Sequence, residues 1–249
     1  MEKSWFSLFD TTEYSGKEPA FFDVKNKKWV NTILENQATI LTEFQNHLKE
    51  HKKDYSPYFN KTLASKKEAW KTIGLKFWEV NKHANQKKFP KTTAIINQIP
   101  NLVSASFNKL EAGANIKPHN GDCNGYYRCH LGLIIPSGLP NTGFRVKSEK
   151  KPWKEGELFA FCDAHNHEAF NFSDGDRYVF LFDIIREEYI HEQTKIVGTV
   201  LTSLFLQKVS LLFTILPKKA NRRLLIIIVF VLKPVALTAK TILNKLKLH

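Results

Sequence analysis

The region from Thr92 to Ile185 constrains the fold most strongly, because short strand-like runs alternate there with residues that favour turns. The runs are rich in β-branched and aromatic side chains, and Gly, Pro, Asn and Asp separate them. We predict strands at Val103–Leu110, Tyr127–Ile135, Gly143–Lys147, Glu157–Cys162, His165–Phe170 and Arg177–Ile185. Six short strands in a stretch of about a hundred residues predict an antiparallel sandwich or barrel, and their spacing fits a jelly roll.

The segments on either side of this β region have a different pattern. Apolar residues recur at helical spacing from about Val30 to Glu50, which predicts an amphipathic helix, and Phe89-Pro90 ends any helix before it. Apolar and small residues dominate from Ile196 to Leu216 and again from Leu224 to Leu232. We therefore divide the chain into an N-terminal mixed helical region that packs on the β domain (1–88), a β core (89–188) and a basic, apolar helical tail (189–249).

The basic charge of the chain is concentrated in this tail. The net charge is +13, and the segment from Gln193 to His249 holds ten Lys or Arg and no Asp or Glu, which leaves +3 for the rest. The basic excess therefore argues little for nucleic acid binding by the main body, and nucleic acid binding through the tail stays a minor alternative.

The stretch from Ile196 to Leu216 just reaches the roughly 20 residues that a membrane span needs, with Lys208 past its middle. The stretch from Leu224 to Leu243 is similar, with Lys233-Pro234 inside it. Long apolar stretches with basic and no acidic residues are typical of segments that lie on anionic lipid. We predict that residues 193–249 contact a membrane surface. The alternatives are a helix pair that covers the β domain or forms a dimer contact, and a true span.

Cysteine usage indicates the compartment. The three cysteines, Cys123, Cys129 and Cys162, are odd in number and irregular in spacing, so they give no disulfide framework. The first residues lack an apolar core of signal-peptide length. We expect a cytoplasmic protein, peripheral on the cytoplasmic face of the membrane if the tail binds lipid, with the cysteines in the core.

The strand around His130 has two faces of opposite character. Tyr127, Cys129, Leu131 and Leu133 alternate on a core face, while Arg128, His130 and Gly132 share the other face. A planar guanidinium, an imidazole and a glycine that leaves room would suit a small anion inside a barrel. The alternative is an exposed basic face.

Two histidines and a further arginine are candidates for cofactor binding. His119 and His167 come from separate segments, and two neutral imidazoles can hold Fe(II) while leaving positions open for other ligands. The usual third ligand, a carboxylate two residues after the first histidine, is absent because Gly121 stands there. Arg177 begins a strand and could bind the distal carboxylate of 2-oxoglutarate. Structural histidines and a salt bridge from Arg177 to a nearby aspartate are the alternatives.

Taken together, these and further segments resemble the aspartyl/asparaginyl β-hydroxylase family. The segments are Phe89-Pro90-Lys91-Thr92, Pro118-His119-Asn120-Gly121, Arg128-Cys129-His130-Leu131-Gly132-Leu133-Ile134-Ile135-Pro136, Phe144-Arg145-Val146, Trp153-Lys154-Glu155-Gly156, Phe161-Cys162-Asp163, His167-Glu168-Ala169-Phe170-Asn171 and Arg177. Their order and intervals agree with the family from about Phe89 to Asp183, and the set is specific although each motif alone is weak.

This resemblance implies a mainly β fold with flanking helices, namely a double-stranded β-helix (jelly roll, cupin-like), followed by the apolar, basic helical tail. It implies an Fe(II)- and 2-oxoglutarate-dependent dioxygenase that uses O2 to hydroxylate an unactivated carbon. The roles it assigns are iron ligation by His119 and His167, and 2-oxoglutarate binding by Arg128, His130, Arg177 and, at a position where the family has serine, Asn108. The family also lacks the carboxylate ligand, in agreement with Gly121.

Two further departures from the family are Cys162, where an acidic or amide residue is common, and Ile185-Arg186, where His-Pro is often seen. Relatives of this type act on peptide Asp or Asn residues or on lipid acyl chains, so both substrate classes stay open. The competing interpretation is a non-catalytic jelly-roll binding protein with a membrane-associating tail. Metal content and 2-oxoglutarate decarboxylation would separate the two.

Overall fold

The fold is given by a computed structural model that describes residues 3–10, 12–51, 54–213 and 222–246, with the backbone alone for 210–213 and 222–226. The strands are β1 Phe21–Phe22, β2 Ser56–Pro57, β3 Trp70–Phe77, β4 Val80–Asn81, β5 Leu102–Leu110, β6 Ala114–His119, β7 Tyr126–Ile134, β8 Thr142–Val146, β9 Glu149–Lys151, β10 Leu158–Cys162, β11 His167–Asn171 and β12 Arg177–Ile185. The helices are α1 Lys28–Glu35, α2 Gln37–Glu50, α3 His83–Lys88, α4 Pro90–Asn97, α5 Gln193–Phe213 and α6 Arg222–Leu246, with a 3-10 helix at Glu187–Glu192.

The strands form two antiparallel sheets. The larger sheet has the order β1-β10-β7-β12-β5-β3-β2, with β4 paired to β3, and the smaller has the order β6-β11-β8-β9. From β5 onward the chain alternates between them: β5, β7, β10 and β12 lie in the larger sheet, and β6, β8, β9 and β11 in the smaller. This alternation is the topology of a double-stranded β-helix, so the predicted jelly roll is confirmed.

The two faces of the larger sheet bury different apolar clusters, as the alternation in β7 predicts. Cys129, Leu131 and Leu133 belong to the cluster under α1, α2 and α4, where the ring centroids of Phe44 and Phe107 lie 4.8 Å apart. The opposite face meets the smaller sheet around a second cluster. Full burial of one such phenylalanine stabilises the fold by about 1.5–3 kcal/mol. The functional side chains lie between the sheets.

Several elements differ from the sequence-based expectations. The predicted helix from Val30 to Glu50 is two helices, because the backbone leaves the helical region at Asn36. Strand β6 was not predicted, since its residues Ala-Asn-Ile-Lys-Pro-His include a proline and few apolar side chains. It lies at the edge of the smaller sheet, where a proline does not break a ladder. His119 therefore ends a strand and does not lie in a turn.

The predicted N-terminal region and the tail both contact the β domain. Strands β1, β2 and β3 extend the larger sheet, and α5 packs its buried Ile196, Val197 and Val200 against Tyr126 of β7. The tail is helical, as expected. Most of the cationic stretch between its two apolar runs, residues 217–223, lies outside the described residues. Among those described, one helix, Ile227–Leu246, is long and apolar enough to cross a membrane by length and composition.

Candidate functional site

The histidine pair is formed by two adjacent strands of the smaller sheet. His119 ends β6 and His167 begins β11, and the two residues are directly opposite each other in the antiparallel register. Their ring centroids are 4.3 Å apart. Directly opposed positions in an antiparallel pair bring side chains on one face into contact, so strand pairing alone explains the convergence of two residues 48 positions apart.

Backbone hydrogen bonds set the tautomer of both imidazoles. The Nδ1 atom of His119 lies 2.8 Å from the carbonyl oxygen of Lys117, and that of His167 lies 2.8 Å from the carbonyl oxygen of His165. A carbonyl oxygen only accepts hydrogen bonds, so Nδ1 carries the proton and each Nε2 offers its lone pair. Burial lowers the pKa of His119, and burial together with His119 lowers that of His167 to about 3, so both rings stay neutral.

Asp163 lies beside the pair and was not assigned a role from the sequence. Its Oδ1 atom is 3.7 Å from Nε2 of His167, and the residue is fully buried. A Cβ atom added at Gly121 would lie 1.6 Å from Oδ2 of Asp163. The Asp163 carboxylate thus occupies the space that a side chain at position 121, the usual place of the triad carboxylate, would need. In the sequence, only the spacing of four residues between Asp163 and His167 could have suggested that the two side chains lie close together.

Arg128 holds this carboxylate in place. Its Nη1 donates to Asp163 at 2.6 Å, and its Nε and Nη2 donate to the two carboxylate oxygens of Asp183 at 2.9 and 3.0 Å. Burial alone would raise the pKa of Asp163, but the charge of Arg128 and a hydrogen bond from Tyr126 outweigh it and hold the pKa below its usual value. Arg128 therefore faces the cavity with most of its donors already used.

Arg177 and His130 present buried donors that have no partner. Arg177 is 2% exposed, its guanidinium lies 4.4 Å from the ring centroid of Trp153, and its Nε has no hydrogen-bond partner. Within the described residues we find no carboxylate paired with it, and burial lowers its pKa to about 9. His130 accepts a hydrogen bond from Trp153 on Nδ1, so its Nε2 carries the proton of the neutral ring, and that atom also lacks a partner.

All six residues singled out from the sequence line one cavity. Asn108 accepts a hydrogen bond from Trp70 at 3.2 Å and donates to Ser106 at 2.8 Å. Trp70, a wall of this cavity, was missed because it comes from β3, in the lysine-rich region where no strand was predicted. Gly132 does not make room for an anion. A Cβ atom there would lie 2.2 Å from the backbone oxygen of Lys154, whose segment packs against β7.

A second cluster of ligand-type residues lies near the first. One ligand atom each from Glu18, Cys162 and His165 falls within 4.8 Å of the others, and all three residues are buried. The Glu18 carboxylate accepts hydrogen bonds from Arg186 at 2.8 Å and from Tyr14, and Nε2 of His165 binds the Glu18 carbonyl oxygen. These groups are satisfied without a cation, so the histidine pair is the better candidate metal site.

Comparisons with known proteins identify the family of the chain. The family model described as aspartyl/asparaginyl beta-hydroxylase matches residues 34–187. A protein named ornithine lipid ester-linked acyl 2-hydroxylase, from Rhizobium tropici, is 32% identical over 174 residues, which are 68% of this chain and 61% of that protein. Aspartate beta-hydroxylase domain-containing protein 2 of Xenopus tropicalis is 30% identical over 67% of this chain and 46% of its own length. The human aspartyl/asparaginyl beta-hydroxylase is 28% identical over 44% of this chain and 15% of its own length.

The matched part of the chain thus spans about three fifths of the first of these relatives and less than half of the other two. Among solved structures, a predicted oxalate decarboxylase from Thermotoga maritima is similar with a TM-score of 0.36 at 13% identity, over 53% of this chain and 92% of that one. The family model covers α2, every strand except β1 and every cavity residue described above. On that match, the chain belongs to the aspartyl/asparaginyl β-hydroxylase family.

Proposed function

We propose that this protein is an Fe(II)- and 2-oxoglutarate-dependent dioxygenase that hydroxylates an unactivated carbon. The observation that carries the proposal is one cavity with two kinds of binding group at its walls. Two neutral imidazoles offer lone pairs to a metal. Arg177 and His130 have buried hydrogen-bond donors without partners, which an anion could accept. Buried polar groups normally have partners, so these donors indicate a ligand.

His119 and His167 would hold Fe(II) through Nε2, with the carboxylate of Asp163 beside them. Arg177 and His130 would bind the distal carboxylate of 2-oxoglutarate, and Asn108 and Arg128 line the same space. Fe(II) with 2-oxoglutarate and O2 supplies the oxidation, in which the cosubstrate becomes succinate and CO2 and a C–H bond becomes C–OH. The chain's own contribution is orientation: backbone carbonyls fix both rings, and Phe144 and Phe161 exclude water from the cavity.

For the substrate we propose a lipid acyl chain or a peptide Asp or Asn residue. The first class is supported by the relative named as an ornithine lipid ester-linked acyl 2-hydroxylase, and the second by the relatives named for aspartyl or asparaginyl residues. A cytoplasmic location, peripheral on the membrane through residues 193–249, belongs to the same proposal. Lipid and peptide substrates are to be assayed in parallel, and mass spectrometry then locates the added oxygen.

The primary test measures succinate formed by the full chain with Fe(II), 2-oxoglutarate and O2, with and without an acceptor. We expect turnover in the wild type and none in His119→Ala or His167→Ala. The exposed His51 provides a matched control, since His51→Ala changes an imidazole far from the cavity. Unchanged turnover in His167→Ala would contradict the metal assignment. Tight metal binding without 2-oxoglutarate turnover would favour the non-catalytic binding protein.

A further inference from the structure

Helix α6 presents an apolar face to the outside of the protein. Its exposed residues recur every three or four positions, which places them along one side of a helix. Phe230 is 80% exposed and Val235 is 61% exposed, and the remaining large apolar members are 49–60% exposed. These remaining members are Ile227, Val231, Ile242 and Leu246. Isolated exposed apolar residues are ordinary, but a continuous stripe on one helix marks a contact surface.

Three polar residues of the same helix, Lys233, Lys240 and Asn244, contact the rest of the protein. Lys240 pairs with the carboxylate of Glu79, and the Asn244 side chain donates to the Glu79 carbonyl oxygen at 2.8 Å and accepts from the backbone N–H of Asn81 at 2.9 Å. Lys233 lies against Gly198 of α5. These contacts fix the rotation of α6, so its apolar side cannot turn inward without losing them. A surface helix in water normally keeps its large apolar side chains on the side that faces the protein, which α6 does with Val229 and Leu237 but not with its outer stripe.

The positive charge of the tail indicates what binds the apolar face of α6. The segment from Gln193 to His249 carries ten Lys or Arg and no acidic residue, which complements an anionic surface. The apolar stretch Ile227–Leu246 has the length of a span, but the contacts of Lys240 and Asn244 with Glu79 and Asn81 tie it along the protein. We propose that the outer face of α6 docks on an anionic lipid bilayer, with the helix lying in the plane of the membrane.

Helix α5 connects this surface to the cavity. It packs against α6, and its Ser203 and Gln207 side chains donate to Oδ1 of Asp122 at 3.0 and 3.3 Å. Asp122 lies three residues after His119, and its backbone N–H donates to Asp163 at 3.1 Å. The loop that follows His119 is therefore linked to α6 through α5: Asp122 contacts α5, and α5 packs against the helix that docks on the lipid. The docking itself does not depend on the hydroxylase activity.

Vesicle flotation of the full chain tests the proposal. We expect the protein to float with vesicles of phosphatidylethanolamine and phosphatidylglycerol, and far less with phosphatidylcholine alone. The variant Phe230→Gln/Val235→Gln should partition at least about tenfold less, since it removes the burial of two large apolar side chains. The matched control is Phe172→Gln, which alters an equally aromatic side chain that is 58% exposed outside the tail, and it should bind like the wild type.

Four results would overturn the proposal. The first is wild-type protein that does not float with anionic vesicles. The second is a Phe230→Gln/Val235→Gln protein that floats like the wild type while its circular dichroism and unfolding midpoint are unchanged. A wild-type dimer in light scattering that becomes a monomer in this variant would assign the face to a second copy of the chain. Resistance of bound protein to alkaline carbonate extraction would show a span and contradict the in-plane helix, whereas release supports it.

Discussion

Replacing Arg177 with methionine should stabilise the ligand-free protein while it abolishes 2-oxoglutarate binding. Burial lowers the pKa of Arg177 to about 9, well below the usual range of a guanidinium. A depression of this size corresponds to roughly 5 kcal/mol of hydration lost in the folded state. The cation–π contact of Arg177 with the Trp153 ring offsets about 2 kcal/mol of this lost hydration. The penalty is fully present at neutral pH and is relieved only as the pH rises through the folded-state pKa near 9.

Methionine has a similar length and no charge to desolvate, so the variant should gain about 3 kcal/mol in the free energy of unfolding. For a chain of this size that gain raises the melting temperature by roughly 6–12 °C. The assay is urea and thermal unfolding of both proteins, without oxygen, with Mn(II) and with or without 2-oxoglutarate. Ligand should stabilise the wild type alone, because loss of a buried charge partner weakens binding at least about 30-fold.

Arg145→Met is the matched control, because Arg145 is satisfied by Glu168 at 2.5 Å and by Asn166 at 2.9 Å. Its replacement should destabilise the protein and leave the response to 2-oxoglutarate intact. A ligand-free Arg177→Met protein that is less stable than the wild type would refute the reasoning, since it would mean that the guanidinium has a partner inside the protein. Retained 2-oxoglutarate stabilisation in that variant would refute its role in carboxylate binding.

Three other changes test neighbouring parts of the site. His167→Gln should abolish Mn(II) binding in titration calorimetry while shifting the unfolding midpoint little, and binding that persists would contradict the ligand assignment. Gly121→Ala should destabilise the fold by about 2 kcal/mol or more in urea, because its Cβ would overlap the carboxylate of Asp163, and a neutral effect would show that this carboxylate is free to move. Burial raises the pKa of Asp122 to about 6, with a further contribution from Asp163, so ionisation of Asp122 destabilises the folded state as the pH rises through that value. Asp122→Asn should therefore gain stability over the wild type between about pH 4 and pH 7 in unfolding titrations, and a constant difference would contradict this shift.

The sequence predicted the jelly roll and its six main strands because those runs are rich in β-branched and aromatic residues and are clearly bounded by turn residues. It failed at β6 and β3, whose polar residues and lysines conceal the strands, and these two strands carry His119 and Trp70 to the cavity. The break at Asn36 left a weak signal, since the apolar period has a polar residue at Gln37 but resumes at Leu41. Local pattern identifies buried strands well, whereas edge strands and helix breaks depend on tertiary contacts.

The site shows the same division between local and non-local information. Alternation along β7 was enough to place Arg128 and His130 on one face of the strand, but it left open whether that face is inside the barrel or exposed. Which of the two arginines remains free for an anion was not readable, because it depends on the positions of Asp163 and Asp183 across the sheet. Nor does the composition of the tail reveal the rotation of α6, which Glu79 and Asn81 fix from a distant part of the chain.

The charges of the cavity explain how the site can lack the usual carboxylate ligand. Asp163 and Asp183 together carry two negative charges against the single positive charge of Arg128, so the cluster beside His167 has an excess of one negative charge. That excess lies where a divalent cation would bind the two imidazoles. On the other side, Arg177 has an unpaired positive charge that would suit the proposed cosubstrate. In the proposed metal site, a carboxylate at Asp163 in place of one at position 121 would preserve the attraction for a cation, and a glycine fits at 121 because the Asp163 carboxylate already fills the side-chain space there.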